Sequence, residues 1–367
     1  MALEKKQKKD IDYCAACPKL CRHACPVGNA ECRETVSPWG KMTALKQVDD
    51  GLADLNAENS ALFYKCLGCL LCRSYCELGV EVPESLVGGR TLATARGVAP
   101  PCISEIKSNF DRYKNAAGVD LSARISALLP SAYFEKGVSA VFFAGCVHTE
   151  RDPSFIKKFF GVSKKLGVDY LGAWGGEPFC CGLPLYNSGY ESEFAEHAAA
   201  LATRLSAYKM VVTACPACAY ALKVMYPQKG IIMSPKVLHA VEFLLLLLEG
   251  RTLRSTGKTL AYHDPCYLGR YLGQYDEPRA LLEKCGVKVA EFQWNRENSY
   301  CCGGGGNVPL TSPTTAAAIS GKRRAEFANT KAQAIATACP SCEAMLRLAG
   351  ADIQVVDVID VLNEALS

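Results

Sequence analysis

Residues 301–310 read CCGGGGNVPL and residues 180–189 read CCGLPLYNSG, so two adjacent cysteines followed by glycine occur twice in one chain. Outward from each pair, a lone cysteine precedes it (Cys146, Cys266) and a C-P-x-C run follows it (Cys215 and Cys218; Cys339 and Cys342). The register is tight: Cys146 to Cys266 is 120 positions, Cys180 to Cys301 is 121 and Cys215 to Cys339 is 124. A repeat at fixed spacing is read as architecture first. The lone cysteines end the apolar stretches VSAVFFAGC and KTLAYHDPC, and the C-P-x-C runs end MVVTACPAC and AIATACPSC. Helical patterns lie between them, near 155–166, 191–208, 277–285 and 312–329, and each copy closes with a further strand and an apolar helix. Strands alternating with helices predict parallel sheets, hence two similar α/β halves over 137–250 and 251–367.

The chemistry follows from the cysteine count. The chain has 367 residues, 49% of them hydrophobic, a formal charge of +4 and 21 cysteines. The charge is too small to point to nucleic acid or an acidic substrate, and the KKQKK run at 5–9 reads as a solvated tail. The N-terminus is charged and lacks the apolar core of a signal peptide, which predicts a cytoplasmic protein. AVEFLLLLLEG is flanked and interrupted by charge and reads as a buried helix rather than a membrane span. In a reducing compartment, cysteines at this density argue for metal ligation. A disulfide between sequence neighbours is disfavoured, because their Cα atoms sit about 3.8 Å apart where disulfides prefer about 4.4–6.8 Å. A single zinc takes about four ligands where each set offers five. A multi-iron cluster suits five thiolates better. On this reading Gly182 and Gly303 to Gly306 let the backbone pass close to the cluster. The cysteines also fall where helices begin, and a helix N-terminus favours anionic sulfur.

Two more cysteine blocks precede the repeat. CLGCLLCRSYC supplies Cys66, Cys69, Cys72 and Cys76 in the spacing of bacterial ferredoxins, where three cysteines hold one cluster and the fourth serves another. CAACPKLCRHACP supplies Cys14, Cys17, Cys21 and Cys25, with one extra residue between its second and third cysteines. Ferredoxin logic puts Cys14, Cys17, Cys21 and Cys76 on one [4Fe–4S] cluster, and Cys66, Cys69, Cys72 and Cys25 on a second. Cys32 is a spare thiol or a substitute ligand, while Cys102 and Cys285 fit neither pattern and read as packing residues. Between the blocks, residues 43–64 carry a helical pattern with Leu45, Val48, Leu52 and Leu55 on one face. Residues 1–100 form the ferredoxin-like unit and 101–136 a connector of packing helices.

The twofold C…CCG…CPxC pattern, with HDPC opening its second copy, resembles the cysteine-rich (CCG) domain pair of heterodisulfide reductase subunits. With the N-terminal blocks, the whole chain is similar to the fused two-module subunit of that reductase. It is similar too to the iron–sulfur subunits of anaerobic glycerol-3-phosphate dehydrogenase, glycolate oxidase and lactate-utilisation enzymes. The resemblance implies an α-helical ferredoxin-like N-terminal domain followed by two repeated α/β CCG domains. It implies one noncubane [4Fe–4S] cluster on Cys146, Cys180, Cys181, Cys215 and Cys218, and another on Cys266, Cys301, Cys302, Cys339 and Cys342. Relatives that have lost or altered a cluster leave the number at one or two.

His263 is the candidate catalytic residue, as proton donor or hydrogen-bond partner at the second cluster, with Asp264 as a helix cap in the alternative. His148 stands in a comparable place after Cys146. Arg270 and Arg279 are candidates to face an anionic substrate or cluster. No GxGxxG follows a strand, so no flavin or nicotinamide site of its own is expected. The leading expectation is an electron-transfer subunit of an anaerobic oxidoreductase complex, partnered by a flavoprotein or other electron-transfer subunit and meeting a membrane only through such a partner. The alternative is a catalytic reductase of small heterodisulfides, and a non-redox zinc scaffold is the third reading.

Overall fold

The computed structural model describes residues 2–134 and 137–367; the last two residues of the expected connector, 135–136, lie outside the described residues. The basic run at 5–9 keeps its four lysines exposed, as a solvated run should, but it is a helix and not a tail. Glu4 and Gln7 form a capping box that starts helix Lys5–Ala16. Gln7 is buried with its amide donating to the Glu84 carbonyl, while Lys6 pairs with Glu81 at 2.9 Å and Lys8 with Asp49 at 2.9 Å. The helical pattern over 43–64 is broken: one helix spans Pro38–Asp49, and a second, Ala57–Phe63, starts under an Asn56 cap. Gly51 turns the chain at φ +72°, and Leu52 is left 77% exposed while Leu45 and Leu55 are buried. Helices Val82–Ala95, Pro101–Tyr113 and Leu121–Leu128 complete this lobe.

Two four-stranded sheets follow. The first holds β1 (Ala140–Phe142), β2 (Leu171–Ala173), β3 (Met210–Thr213) and β4 (Lys236–His239) in the order β2-β1-β3-β4. The second holds β5 (Thr259–Tyr262), β6 (Lys288–Glu291), β7 (Ala334–Thr337) and β8 (Val355–Asp357) in the order β6-β5-β7-β8. All pairings are parallel, with Ala140 opposite Met210 in one sheet and Leu260 opposite Ala334 in the other. The central strands β1 and β7 are buried throughout, as helix-covered parallel strands must be. The sequence pattern does not reveal β2 and β6. Both are edge strands of three or four residues, too short to show a period, and β6 is half-exposed.

The copies pack reciprocally. Helix Pro153–Lys165, from the first half of copy one, lies on the last helix of copy two, Val358–Ala365. Helix Ala240–Leu247, which ends copy one, lies on Asp276–Lys284 near the start of copy two. The apolar run at 240–250 is thus spent on this contact. Among the described residues no helix is long and apolar enough to cross a membrane.

Candidate metal centres

In each sheet the strand order reverses between the first strand and the third, and that switch point at the carboxyl ends is where open α/β sheets place ligands. The cysteines sit there. Cys146 lies in the first turn of helix Gly145–Arg151 and Cys266 directly precedes the turn Tyr267–Tyr271. Cys215 and Cys339 are the N-caps of Pro216–Tyr220 and Pro340–Leu348, each with proline in the first turn, where the missing N–H costs nothing.

Within copy one the sulfurs stand in an ordered series. Cys180 donates to Cys146 at 3.8 Å and neighbours Cys181, whose sulfur stands beside that of Cys218, and Cys218 beside Cys215. Copy two repeats the order as Cys266, Cys301, Cys302, Cys342 and Cys339. The adjacent pair therefore divides its work, one thiol facing the lone cysteine and its neighbour facing the C-P-x-C run. The neighbouring Cys180 and Cys218 thiols hold the Cys181 thiol well below the usual range, and Cys301 and Cys342 do the same for Cys302. Such convergent, mostly buried sulfurs offer the soft thiolate donor set that suits a thiophilic metal centre, an iron–sulfur cluster among them. The copies face each other closely enough for Cys215 and Cys339 to feel one another's charge.

In the N-terminal lobe, Cys14, Cys17, Cys21 and Cys76 are neighbours, all half-buried. Cys25, Cys66, Cys69 and Cys72 line one cavity deeper in, together with Lys41. Nothing in the sequence singles out Lys41. It is 1% exposed, 3.9 Å from the Cys25 sulfur and 2.8 Å from the Lys65 carbonyl. Burial would lower its pKa, yet the charges of Cys25, Cys66, Cys72 and Cys69 hold it above the usual value. A fully buried ammonium needs anions around it, and four thiolates, or a cluster they hold, supply them. Cys32 is exposed and bonds only to Asn29, while Cys102 and Cys285 stand apart from every sulfur group.

The 66–69 loop is the joint between the lobes. Its carbonyls are taken from outside: Cys66 by Arg90 at 3.1 Å, Gly68 by Tyr271 at 2.6 Å and Cys69 by Arg270 at 2.6 Å. Arg90 also donates to Asn187 in copy one, and Arg270 to Glu297 and Ser299 in copy two. The Cys69 thiol stands beside that of Cys301, whose proximity with the Arg270 and Lys41 charges lowers its pKa to about 6. Two of the four glycines have a reason outside their own copy. A Cβ at Gly305 would come 2.1 Å from the Leu67 carbonyl oxygen, and one at Gly306 would come 1.9 Å from that of Cys66. Gly305 and Gly306 are held to glycine by this second loop, whereas Gly303, at φ +91°, faces the Ala316 carbonyl and a Cβ at Gly304 would come 3.6 Å from the Cys302 sulfur.

A cavity of about 420 Å³ opens beside this joint. Gly68 and Leu70 face it from the loop, Tyr186 and Tyr220 from copy one, Tyr267 and Arg270 from copy two. Tyr271 stacks with Tyr267 at 4.5 Å and meets Tyr220 at 4.7 Å, so aromatic rings tie the copies together just past Cys218 and Cys266. Arg270 has one terminal nitrogen, Nη2, buried with no partner among the described residues. The tyrosines were unreadable in advance, since nothing in CYLGRY distinguishes a wall from a core.

The other candidates separate clearly. His263 is buried, and its ring atom lies within 4.8 Å of the Cys302 and Cys342 sulfurs. Asp264 does not cap a helix; its carboxylate accepts from Arg279 at 2.7 and 3.0 Å and from the Arg296 backbone. Arg279 therefore faces Asp264 and Glu291 rather than a substrate. His148 stacks on Phe155 at 3.9 Å, and burial pushes its pKa down to about 4.

Comparison with known proteins agrees with this geometry. The Cysteine-rich domain family, CCG, matches residues 140–223 and 260–347. The chain is 30% identical over 317 residues to one subunit of the dihydromethanophenazine:CoB–CoM heterodisulfide reductase of Methanosarcina barkeri, covering 82% of this chain and 77% of that protein. It is 30% identical to a "Probable membrane-anchored ferredoxin" of Chromohalobacter salexigens, over 87% of this chain and 51% of that one. To the "EtfAB:quinone oxidoreductase" of Syntrophomonas wolfei it is 28% identical, over 84% and 47%. A helical N-terminal region followed by two CCG domains, and this level of identity along most of a reductase subunit, place the chain in the CCG-domain family of iron–sulfur oxidoreductase subunits, homologous to the matching heterodisulfide reductase subunits of Methanosarcina.

Proposed function

We propose that the chain is the reductase subunit of an oxidoreductase complex and that its two CCG domains reduce a small disulfide. The observation that carries this reading is the pair of matching, complete five-cysteine sets, with a cavity shared by both copies lined by their chain neighbours Leu183, Tyr220 and Tyr267. The overall step breaks one S–S bond and forms two S–H bonds, consuming two electrons and two protons. When bound, iron–sulfur clusters supply one-electron storage at each site and a soft surface for sulfur. We assign the [4Fe–4S] sites to Cys14, Cys17, Cys21 and Cys76 and to Cys25, Cys66, Cys69 and Cys72, and noncubane [4Fe–4S] sites to the two five-cysteine sets. The chain's own residues do the rest: Lys41 and Arg270 offset thiolate charge, Arg90 and Arg270 fix the loop, and the tyrosines shield the cavity. With Lys6, Arg73, Lys229 and Arg270 against Glu81 and Glu84, its lining favours an anionic disulfide.

The relatives favour this catalytic reading over the pure relay expected first, because the match runs along most of a heterodisulfide reductase subunit. Relay remains part of it: the half-buried cysteines 14, 17, 21 and 76 suit docking of an electron-donating partner, a flavoprotein or other redox subunit, in the cytoplasm. The test is anaerobic assay of the reconstituted chain with small heterodisulfides and a reduced viologen. Thiol release at two electrons per disulfide supports the proposal. Full iron and sulfide content with no thiol release across anionic and neutral disulfides returns the chain to a relay role.

A further inference from the structure

The two cysteine sets match sulfur for sulfur, yet their surroundings differ at one position. Three residues before the lone cysteine, copy one has Phe143 and copy two has His263, and the backbone equates them: Phe143 N–H donates to Val212 at 2.8 Å and His263 N–H to Ala336 at 2.9 Å. Phe143 is part of the core. His263 instead points into the cysteine set, with a ring nitrogen within 4.8 Å of the Cys302 and Cys342 sulfurs. Behind it lies Arg323, wholly buried, whose Nε donates to His263 Nδ1 at 3.1 Å. The guanidinium is itself fixed by Glu326 at 2.6 Å, the Trp294 carbonyl at 2.9 Å and Ser299 at 3.4 Å, and it stacks on Phe292 at 3.7 Å.

An arginine has donors only and keeps its charge in proteins. The nitrogen that accepts from it must therefore offer a lone pair, which places the ring's single proton on Nε2. We propose that Arg323 is a positioning residue that locks His263 in the Nε2–H tautomer, so that His263 is a hydrogen-bond donor to the Cys302 sulfur and not a metal ligand. The guanidinium behind the ring also polarises that N–H toward the sulfur. At Cys181 the bond from outside the cysteine set comes from the Leu183 backbone, so the side-chain device belongs to copy two alone. A donor to a ligating sulfur stabilises the reduced, more negative centre and raises its potential. This consequence rests on the reading that the five-cysteine sets hold iron–sulfur clusters; the tautomer does not.

Two measurements on the full chain test it. In the metal-free protein, long-range ¹⁵N–¹H correlation of the five histidines reads the tautomer directly, with His263→Gln assigning the signal. An Nε2–H pattern for His263 supports the proposal; an Nδ1–H or doubly protonated ring overturns it. In the reconstituted protein, potentials are read by EPR-monitored titration. His263→Phe, which copies the residue of the first half, lowers the reduced-to-oxidised ratio of one CCG centre about tenfold at fixed poise, the scale of a hydrogen bond to a charged group. His263→Gln, whose amide can accept from Arg323 and donate to sulfur, restores most of it, and Arg323→Met shifts the same centre in the direction of His263→Phe. An unchanged potential in His263→Phe with full iron content, or equal shifts in His263→Phe and His263→Gln, overturns the electrostatic role. A wild-type chain that binds no iron defeats the proposed function and leaves the tautomer result standing.

Discussion

Lys41 shows how much one side chain contributes. A buried ammonium survives only beside buried anions, and here those are the sulfurs of one N-terminal quartet. Lys41→Met removes the charge while keeping the stem, so the reduced form of that centre loses at least about tenfold in population at fixed poise. Potentiometry of the loaded chain should show one N-terminal centre shifted and the Cys14 centre unmoved. A second prediction concerns His239, which caps helix Ala240–Leu247 and accepts from the Val241 N–H. Burial pushes its pKa from 6.5 down to about 4. The unfolded chain then binds the proton more readily, so His239 costs no stability above pH 6.5 and stability falls as pH drops toward 4. Between pH 7 and pH 5 the loss is about 2 kcal/mol. His239→Asn keeps a cap without the titration, and its urea-unfolding free energy should fall by about that much less over the same interval.

Among the elements, Gly305 and Gly306 and the 66–69 loop explain one another. Gly306 has φ +59°, and its Cα faces the Cys66 carbonyl, so Gly306→Ala meets both strain and a backbone clash. It should destabilise the chain by about 2 kcal/mol or more. Gly321 in helix Pro313–Ala325 has open space around a Cβ, and Gly321→Ala should stabilise by about 0.5–1 kcal/mol. Guanidinium unfolding of the two variants checks the contrast. If Gly306→Ala were as neutral as Gly321→Ala, the loop would not be pressed against the run. Arg90, Tyr271 and Arg270 work on the same joint from the other side, which is why the loop has a fixed place between the two copies.

At the scale of the whole molecule, sulfur-to-sulfur neighbours form a line. Cys21 stands near Cys25, Cys69 beside Cys301, and Cys339 near Cys215. On the proposed cluster assignment, electrons entering at the half-buried end of the N-terminal lobe should reach the second CCG centre before the first. Rapid-freeze EPR after mixing with a one-electron reductant would show the copy-two signal leading; simultaneous growth, or copy one leading, would contradict the order. The reciprocal helix packing of the copies fixes the two halves against each other, and residues of both line one cavity.

The sequence by itself determined the duplication, the parallel α/β halves, the family and the grouping of cysteines within each copy, because strand–helix alternation and ligand spacing are local patterns along the chain. It could not show the edge strands β2 and β6, which are too short to carry a period, nor the break at Gly51. It also could not show that Gly305 and Gly306 lie against carbonyls more than two hundred positions away. Only the tertiary structure decided that Cys69 meets Cys301, that Lys41 is sealed among thiols and that Arg323 stands behind His263. Those contacts join residues remote in sequence, and their energies depend on burial and distance, which exist only once the chain has closed on itself.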